Sequence, residues 1–294
     1  VIPELLLPQQ LARDAAAGLR LPALEKLLAR AQSMPLQADT LEAWLCKAFG
    51  VDDLAVAALT LQADGVPPGE AYCLRADPVH IRLQREQMVL QGGVEASAEE
   101  AAQLCASLNA HFASDGLCFV APHPQRWYVL LDAAPAMQST PLTQVMGRDV
   151  QPYLPKGEDA LHWHALFNEI QMLLFSHAVN QAREARGEMA VNSVWLWGGG
   201  FATPALPCPS QRVRGASELA LAFATAAQVS AIRWSADVPV AVHDVEGDVL
   251  LVWEGLQTAL QRGDLGAWRA SLLQFEQDCM APVLADLAAG RTDR

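Results

Sequence analysis

No run of about 18 consecutive apolar residues occurs in these 294 residues, so no helical membrane span is expected. Basic residues are few: 20 Lys and Arg stand against 33 Asp and Glu, a formal charge of −13. Nucleic-acid backbones and anionic membrane surfaces attract basic faces, so no nucleic acid and no membrane is expected as a partner. The six cysteines (Cys46, Cys73, Cys105, Cys118, Cys208, Cys279) include no CxxC pair, which excludes a zinc ribbon and a thioredoxin-type redox motif. Most of them read as small core hydrophobes. Histidines are scattered, and His162 and His164, two apart, point about 200° from one another on a helix, a poor arrangement for sharing a metal. The opening VIPELLLPQQ is too short and wrongly flanked for a signal peptide, so a cytoplasmic protein is expected.

The chain is 52% apolar and 18% charged, which excludes a wholly disordered protein, and its length suffices for a sizeable core. Leu21, Leu24, Leu27 and Leu28 fall at helical spacing, and a second helix follows with Asp39 as cap, Glu42 three residues on and Gly50 as its stop. Residues 61–70, rich in Gly and Pro, read as a loop. From Tyr72 to Leu131 short strands surround one helix, with Gly92-Gly93 suited to a hairpin turn. Ser97 and Glu100 form a capping box for that helix, whose apolar stripe is Leu104, Leu108 and Phe112. This block reads as an α+β unit with an antiparallel sheet. A long helix follows, with Trp163, Phe167, Ile170 and Leu174 on one face, then strands at VNSVWLW, VPVAV and VLLVW separated by a small-residue helix. Strands that are apolar throughout and alternate with helices predict a parallel sheet covered on both faces.

VNSVWLWGGG (191–200) carries the most chemistry-bearing pattern. As a strand it points Val191, Ser193, Trp195 and Trp197 one way and Asn192, Val194 and Leu196 the other, and it delivers three glycines at its end. The next ten residues, FATPALPCPS, contain three prolines, so no helix starts there, and a dinucleotide or Walker phosphate loop is excluded. Two readings stay open: glycines that allow close packing, or a loop beside a ligand. Just upstream, Asn180, Arg183, Arg186 and Asn192 are residue types that recognise phosphate or carboxylate, although the arginines also suit a solvated helix end.

The stretch SHAVNQAREARGEMAVNSVWLWGGG (176–200) resembles the matching segment of cofactor-independent phosphoglycerate mutases, and within that family a shortened, degenerate bacterial branch that shares WLWGGG and is sometimes catalogued as regulatory. LPALEKLLARAQ, AYCLRADPVHIRL, the run from SAEEAAQL to RWYVLL, and GASELALAFATAAQVS fall in the family's order. The resemblance implies an α/β fold of the alkaline phosphatase superfamily: a mostly parallel sheet with helices on both faces, formed by 1–70 and 136–294, with an inserted smaller α+β subdomain at 71–135. It also implies a serine nucleophile between two metal ions held by aspartates and histidines. The sequence departs from that pattern. No acidic residue directly follows the opening strand, whose one carboxylate is Glu4 inside it, 51–70 contains no Ser, EGLQTALQRGD contains no His, and TQV at 143–145 replaces Thr-Asp-Pro. His243-Asp244 is the one pair that still resembles metal ligands, and a single pair does not build a two-metal centre.

The expectation is therefore a mutase-like protein that has lost metal-dependent phosphoryl transfer, needs no cofactor, and serves a binding or regulatory role. Its partner is a small phosphorylated metabolite or a protein, and the ligand-binding candidates are Asn180, Arg183, Asn192, Trp197, Gly198 and Gly200. Two alternatives are carried: a residual phosphomutase or phosphatase recruiting Asp52, Asp53, Asp64, His243 and Asp244, and an interaction module using the inserted subdomain and the prolines of 202–209.

Overall fold

A computed structural model describes residues 16–32, 38, 40–51, 54–91, 93–203, 205–215, 217–234, 247–261 and 263–291. In chain order the elements are α1 (Pro22–Arg30), α2 (Leu41–Ala48), α3 (Ala57–Ala63), β1 (Tyr72–Gln84), β2 (Gln87–Gln91), α4 (Ala98–His111), β3 (Cys118–His123), β4 (Arg126–Leu131), β5 (Met137–Gln138), the single turn α5 (Leu142–Val145), β6 (Lys156–Gly157), α6 (Ala160–Phe175), α7 (Ala178–Ala185), β7 (Ser193–Gly200), β8 (Arg212–Gly215), α8 (Glu218–Ala226), β9 (Ser230–Arg233), β10 (Val249–Val252), α9 (Gln257–Gln261), α10 (Leu265–Phe275) and α11 (Ala281–Ala288). They group into two compact units, Gly50–Leu206 and Val1–Phe49 with Pro207–Arg294. The boundaries expected at 71 and 135 both fall inside the first of these. The chain is thus a mixed α/β protein, and its sheets are mostly antiparallel.

The unit Gly50–Leu206 is built on an antiparallel sheet, β2-β1-β4-β3, with β7 paired to β1. The thirteen-residue β1 is the hub: Cys73 pairs with Leu130 of β4 and with Gly200 of β7, so those two strands flank it. This corrects the expected orientation of the WLWGGG strand, which runs antiparallel to β1 in a sheet otherwise composed of 72–131. The physical reason is coverage. On one face Leu74, Ala76, Val129, Val194 and Leu196 pack with Leu104, Leu108, Trp163, Ile170 and Leu174 from α4 and α6. On the other, Cys73 and Tyr128 pack with Ala57, Ala58 and Leu61 of α3. An antiparallel sheet buried on both faces reads as apolar throughout, like a parallel one, and burial rather than direction produced the pattern.

Local signals fared better. The Ser97/Glu100 capping box forms with both reciprocal bonds. Thr40 accepts from the Ala43 amide at the start of α2; Asp39, the expected cap, lies outside the described residues. Leu61, Gln62 and Ala63, expected in a loop, complete α3, and the two-residue β1–β2 turn is Arg85-Glu86, with Arg85 at φ 56°; Gly92 of the expected glycine turn lies outside the described residues. The long helix breaks at Ser176-His177, where the His177 ring accepts from the Val179 amide and caps α7.

In the other unit a short sheet, β10-β8-β9, is parallel. Its helical part closes on Leu24, Trp268, Leu272, Phe275 and Cys279. A π-helical segment, Glu276–Met280, turns the buried Glu276 carboxylate onto the start of α1, where it accepts from the Ala23 and Leu24 amides at 2.6 and 3.0 Å. These are two of the donors that a helix leaves without partners, and α1 has no side-chain cap at its own N-cap position. The expected VPVAV strand lies outside the described residues.

Candidate functional site

Strand alternation puts Cys73, Arg75 and Asp77 of β1 on the face under α3, and the register sets Arg75 opposite Tyr128 on one side and Trp197 on the other. The Arg75 guanidinium lies 5.4 Å from the centroid of each ring, a cation held between two π faces. It donates from Nε and Nη2 to Asp77 Oδ1 at 3.1 and 2.5 Å, and Trp197 Nε1 donates to Asp77 Oδ2 at 2.7 Å. Beside them Tyr128 donates its hydroxyl to Asp64 Oδ2 at 2.6 Å, and Arg126 closes on Asp64 through Nε and Nη2 at 2.9 and 2.5 Å. Arg75 and Asp77 are buried, so this is an ion-pair cluster inside the protein. Sequence reasoning missed Arg75, Asp77 and Tyr128. The available signal was a charged pair two residues apart in an otherwise apolar strand, which places both charges on one face.

The glycines of WLWGGG approach this cluster. Gly198 takes φ +69°, and a Cβ there would stand 2.7 Å from Val56 Cγ2. At Gly199 a Cβ would meet the Tyr72 hydroxyl at 2.2 Å, and at Gly200 the Cβ of Ala55 at 2.3 Å. At all three positions β7 packs closely on the strand and loop beside it, with no room for a Cβ.

Asn180, Arg183 and Asn192 do not converge with Trp197 and the glycines. Asn180 donates to Leu174 O and Val191 O and accepts from Val191 N, each at 2.8 Å, tying α6 and α7 to the start of β7. Asn192 accepts from Ile81 N at 2.7 Å and donates to Ile81 O at 2.9 Å, extending the β1–β7 ladder with a side chain in the role of a backbone. Arg183 donates to Met189 O, Glu95 O and Glu100 Oε2 at 2.9, 3.1 and 2.5 Å. Arg186 is taken by Glu188 and Glu100. The adjoining groove of about 610 Å³ carries Glu95, Glu99, Glu100 and Glu188 against Arg186, a wall that repels anions.

Burial pushes the Asp64 carboxyl up, but hydrogen bonds from Arg126 and Tyr128 and the charges of Arg126 and Arg75 outweigh it, leaving the group below its ordinary 3.8. Glu100 behaves alike: burial raises it, and bonds from the Ser97 backbone, Arg186 and Arg183 bring it below 4.5. A carboxyl depressed in the folded state stabilises fully above its unfolded pKa and loses that contribution as pH falls through the folded value. The urea midpoint is therefore expected to fall steadily below about pH 4.5, and Asp64→Asn to flatten part of that acid limb. An identical limb in the variant would exclude Asp64 as a contributor. Burial raises the thiols of Cys105 and Cys279 to about 12 and that of Cys73 to about 11, so none is a thiolate at neutral pH. Cys46 is buried as well, whereas Cys118 is exposed and Cys208 half-buried.

Among the described residues no three His, Cys, Asp or Glu side chains converge as metal ligands do, and Asp64 is spent on Arg126 and Tyr128. His243, Asp244, Asp52 and Asp53 lie outside the described residues. The described donor set does not fit a two-metal centre. Among the same residues no helix is long and apolar enough to cross a membrane.

A sequence profile described as 2,3-bisphosphoglycerate-independent phosphoglycerate mutase matches residues 65–180. The enzyme of that name from Methanosarcina mazei is 34% identical over 65 residues, 22% of this chain and 16% of the relative. That from Methanosarcina barkeri is 28% identical over 113 residues, 38% of this chain and 28% of the relative. The matched stretches thus span under a third of those curated relatives. The solved cofactor-independent phosphoglycerate mutase of Thermoplasma acidophilum superposes over 97% of this chain and 82% of its own at 14% identity and a TM-score of 0.41. The matched segment runs from the residue after Asp64 to Asn180 and includes β1 and β4, and over it the chain is similar to 2,3-bisphosphoglycerate-independent phosphoglycerate mutases.

Proposed function

We propose that this protein keeps a phosphoglycerate-mutase scaffold, has given up metal-dependent phosphoryl transfer, and acts in the cytoplasm by binding, as a regulatory protein. The observation that carries this reading is the closure of the arginines in and beside the matched segment by the chain's own carboxylates: Arg75 by Asp77, Arg126 by Asp64, Arg183 by Glu100. An arginine that recognises a phosphorylated substrate must keep its donor fork free for the anion. Here a phosphate would have to displace a buried carboxylate that is already bonded at 2.5 Å, a competition it enters after losing its own hydration. The carboxylates supply internally what a substrate would bring, which supports a scaffold used for something other than turnover.

The test is direct. Purified protein loaded with manganese, magnesium or zinc is incubated with 3-phosphoglycerate and, separately, with a general phosphomonoester. Neither interconversion to 2-phosphoglycerate nor phosphate release above a no-protein control is expected. Turnover that depends on protein and metal would overturn the reading and favour a residual phosphomutase or phosphatase.

A further inference from the structure

Helix α6 is apolar on two opposite sides. Advancing about 100° per residue, it turns Trp163, Leu166, Phe167, Ile170 and Leu174 inward, where they are buried. The same advance gathers Leu161, Ala165, Asn168, Met172 and Phe175 within an arc of about 80° on the opposite side. All five are exposed, Leu161 by 84%, Met172 by 74% and Phe175 by 79%. Their spacing of four, three, four and three residues is that of a coiled-coil seam with one asparagine in it. Single exposed apolar residues are ordinary, but a contiguous row of this kind along a helix marks an interaction surface.

We propose that this stripe is a self-association surface, occupied by α6 of a second copy of this chain running antiparallel. Charge selects that occupant. The chain carries −13, whereas the five stripe positions hold no ionisable side chain. An equally acidic copy can come close only through such an uncharged window, and a basic partner would find no carboxylate there to pair with. Shape agrees. Small Ala165 and large Phe175 stand ten residues apart, so an antiparallel copy seats each Phe175 ring over the other's Ala165, twice by two-fold symmetry. In that register Asn168 lies beside Met172, and a polar residue within an apolar seam penalises slipped alignments. Sixteen residues make a helix of about 24 Å, and such a contact falls short of the roughly 800 Å² per partner of a standard interface. The dimer is accordingly weak and reversible on dilution.

Sedimentation of the full chain from about 1 to about 300 μM tests this, since the dimer fraction must follow protein concentration. The weight-average mass is expected to rise from the monomer toward twice its value. Met172→Glu and Phe175→Glu are each expected to raise the dissociation constant at least about 30-fold by placing a charge in the seam. Both sites face solvent, so far-UV circular dichroism and urea midpoints should match the parent. Leu83→Glu, at another exposed leucine (71%), should leave association unchanged. A parent chain that stays monomeric throughout overturns the proposal, as does a dimer that survives Met172→Glu or one that Leu83→Glu also abolishes. A monomeric parent whose urea midpoint drops on Met172→Glu means that the chain's own residues cover the stripe, and overturns it too.

Discussion

Arg183→Ala is expected to cost about 3–5 kcal/mol of stability, read as a lower urea midpoint at unchanged slope. Only 2% of Arg183 is exposed, and it binds a carboxylate and two backbone carbonyls drawn from the α4 approach and the α7–β7 connection. Removing the side chain strands Glu95 O and Met189 O without a donor and takes from Glu100 its buried partner. Glu100 keeps Arg186 and the Ser97 amide, so the helix cap survives while the clamp between segments is lost. Arg183→Lys should recover only part, because a single ammonium cannot serve the carboxylate and both carbonyls in the geometry of the planar fork. The competing role, an anion-binding arginine, predicts the reverse: little change in stability and loss of any protection by phosphorylated metabolites. Unchanged midpoints in Arg183→Ala would reject the structural assignment.

The same residue shows where sequence reading reached its end. Residue type marked Asn180, Arg183 and Asn192 as candidates for a phosphate or carboxylate ligand; it could not tell that they bond backbone oxygens of Leu174, Val191, Met189, Glu95 and Ile81. Asn192 meets its partner 111 positions away, a pairing set by the β1–β7 register, which no local pattern encodes. By contrast the Ser97/Glu100 cap and the stripe of α4 depend on neighbours within one or two turns and were readable as written. The WLWGGG run lay between these cases. Its strand character and the opposed faces of Val194 and Leu196 against Trp195 and Trp197 were readable, because alternation is local. Its direction and partners were not, since apolarity on both sides reports burial and nothing else. Arg75 and Asp77 were visible as a same-face pair, but the rings of Tyr128 and Trp197 that enclose the cation come from strands brought together only by the tertiary fold.

That enclosed pair yields the second large effect. Asp77→Ala is expected to destabilise by about 3–5 kcal/mol, because it leaves the Arg75 cation between two rings with its carboxylate gone and takes the acceptor of Trp197 Nε1 as well. Adding Arg75→Leu should return much of the loss, since an apolar pair of similar volume avoids the uncompensated charge, and the excess over additivity measures the coupling. Asp77→Asn is the informative middle case. It keeps the side chain's volume and one acceptor oxygen for Arg75, but removes the negative charge and turns an NH2 group toward Trp197 Nε1, so the cost should be smaller than that of Asp77→Ala and the fold retained. If Asp77 stands where an anion would otherwise bind, inorganic phosphate or 3-phosphoglycerate should raise the melting temperature of Asp77→Asn and leave the parent unmoved. Ligand at about 100 times its dissociation constant stabilises by roughly 2.7 kcal/mol, a shift that thermal unfolding resolves easily. A rise in the parent as well would mean that Asp77 does not close the arginine to ligands. No rise in either protein would make the Arg75–Asp77 pair purely architectural, and a regulatory ligand would then have to be sought away from this face of the sheet.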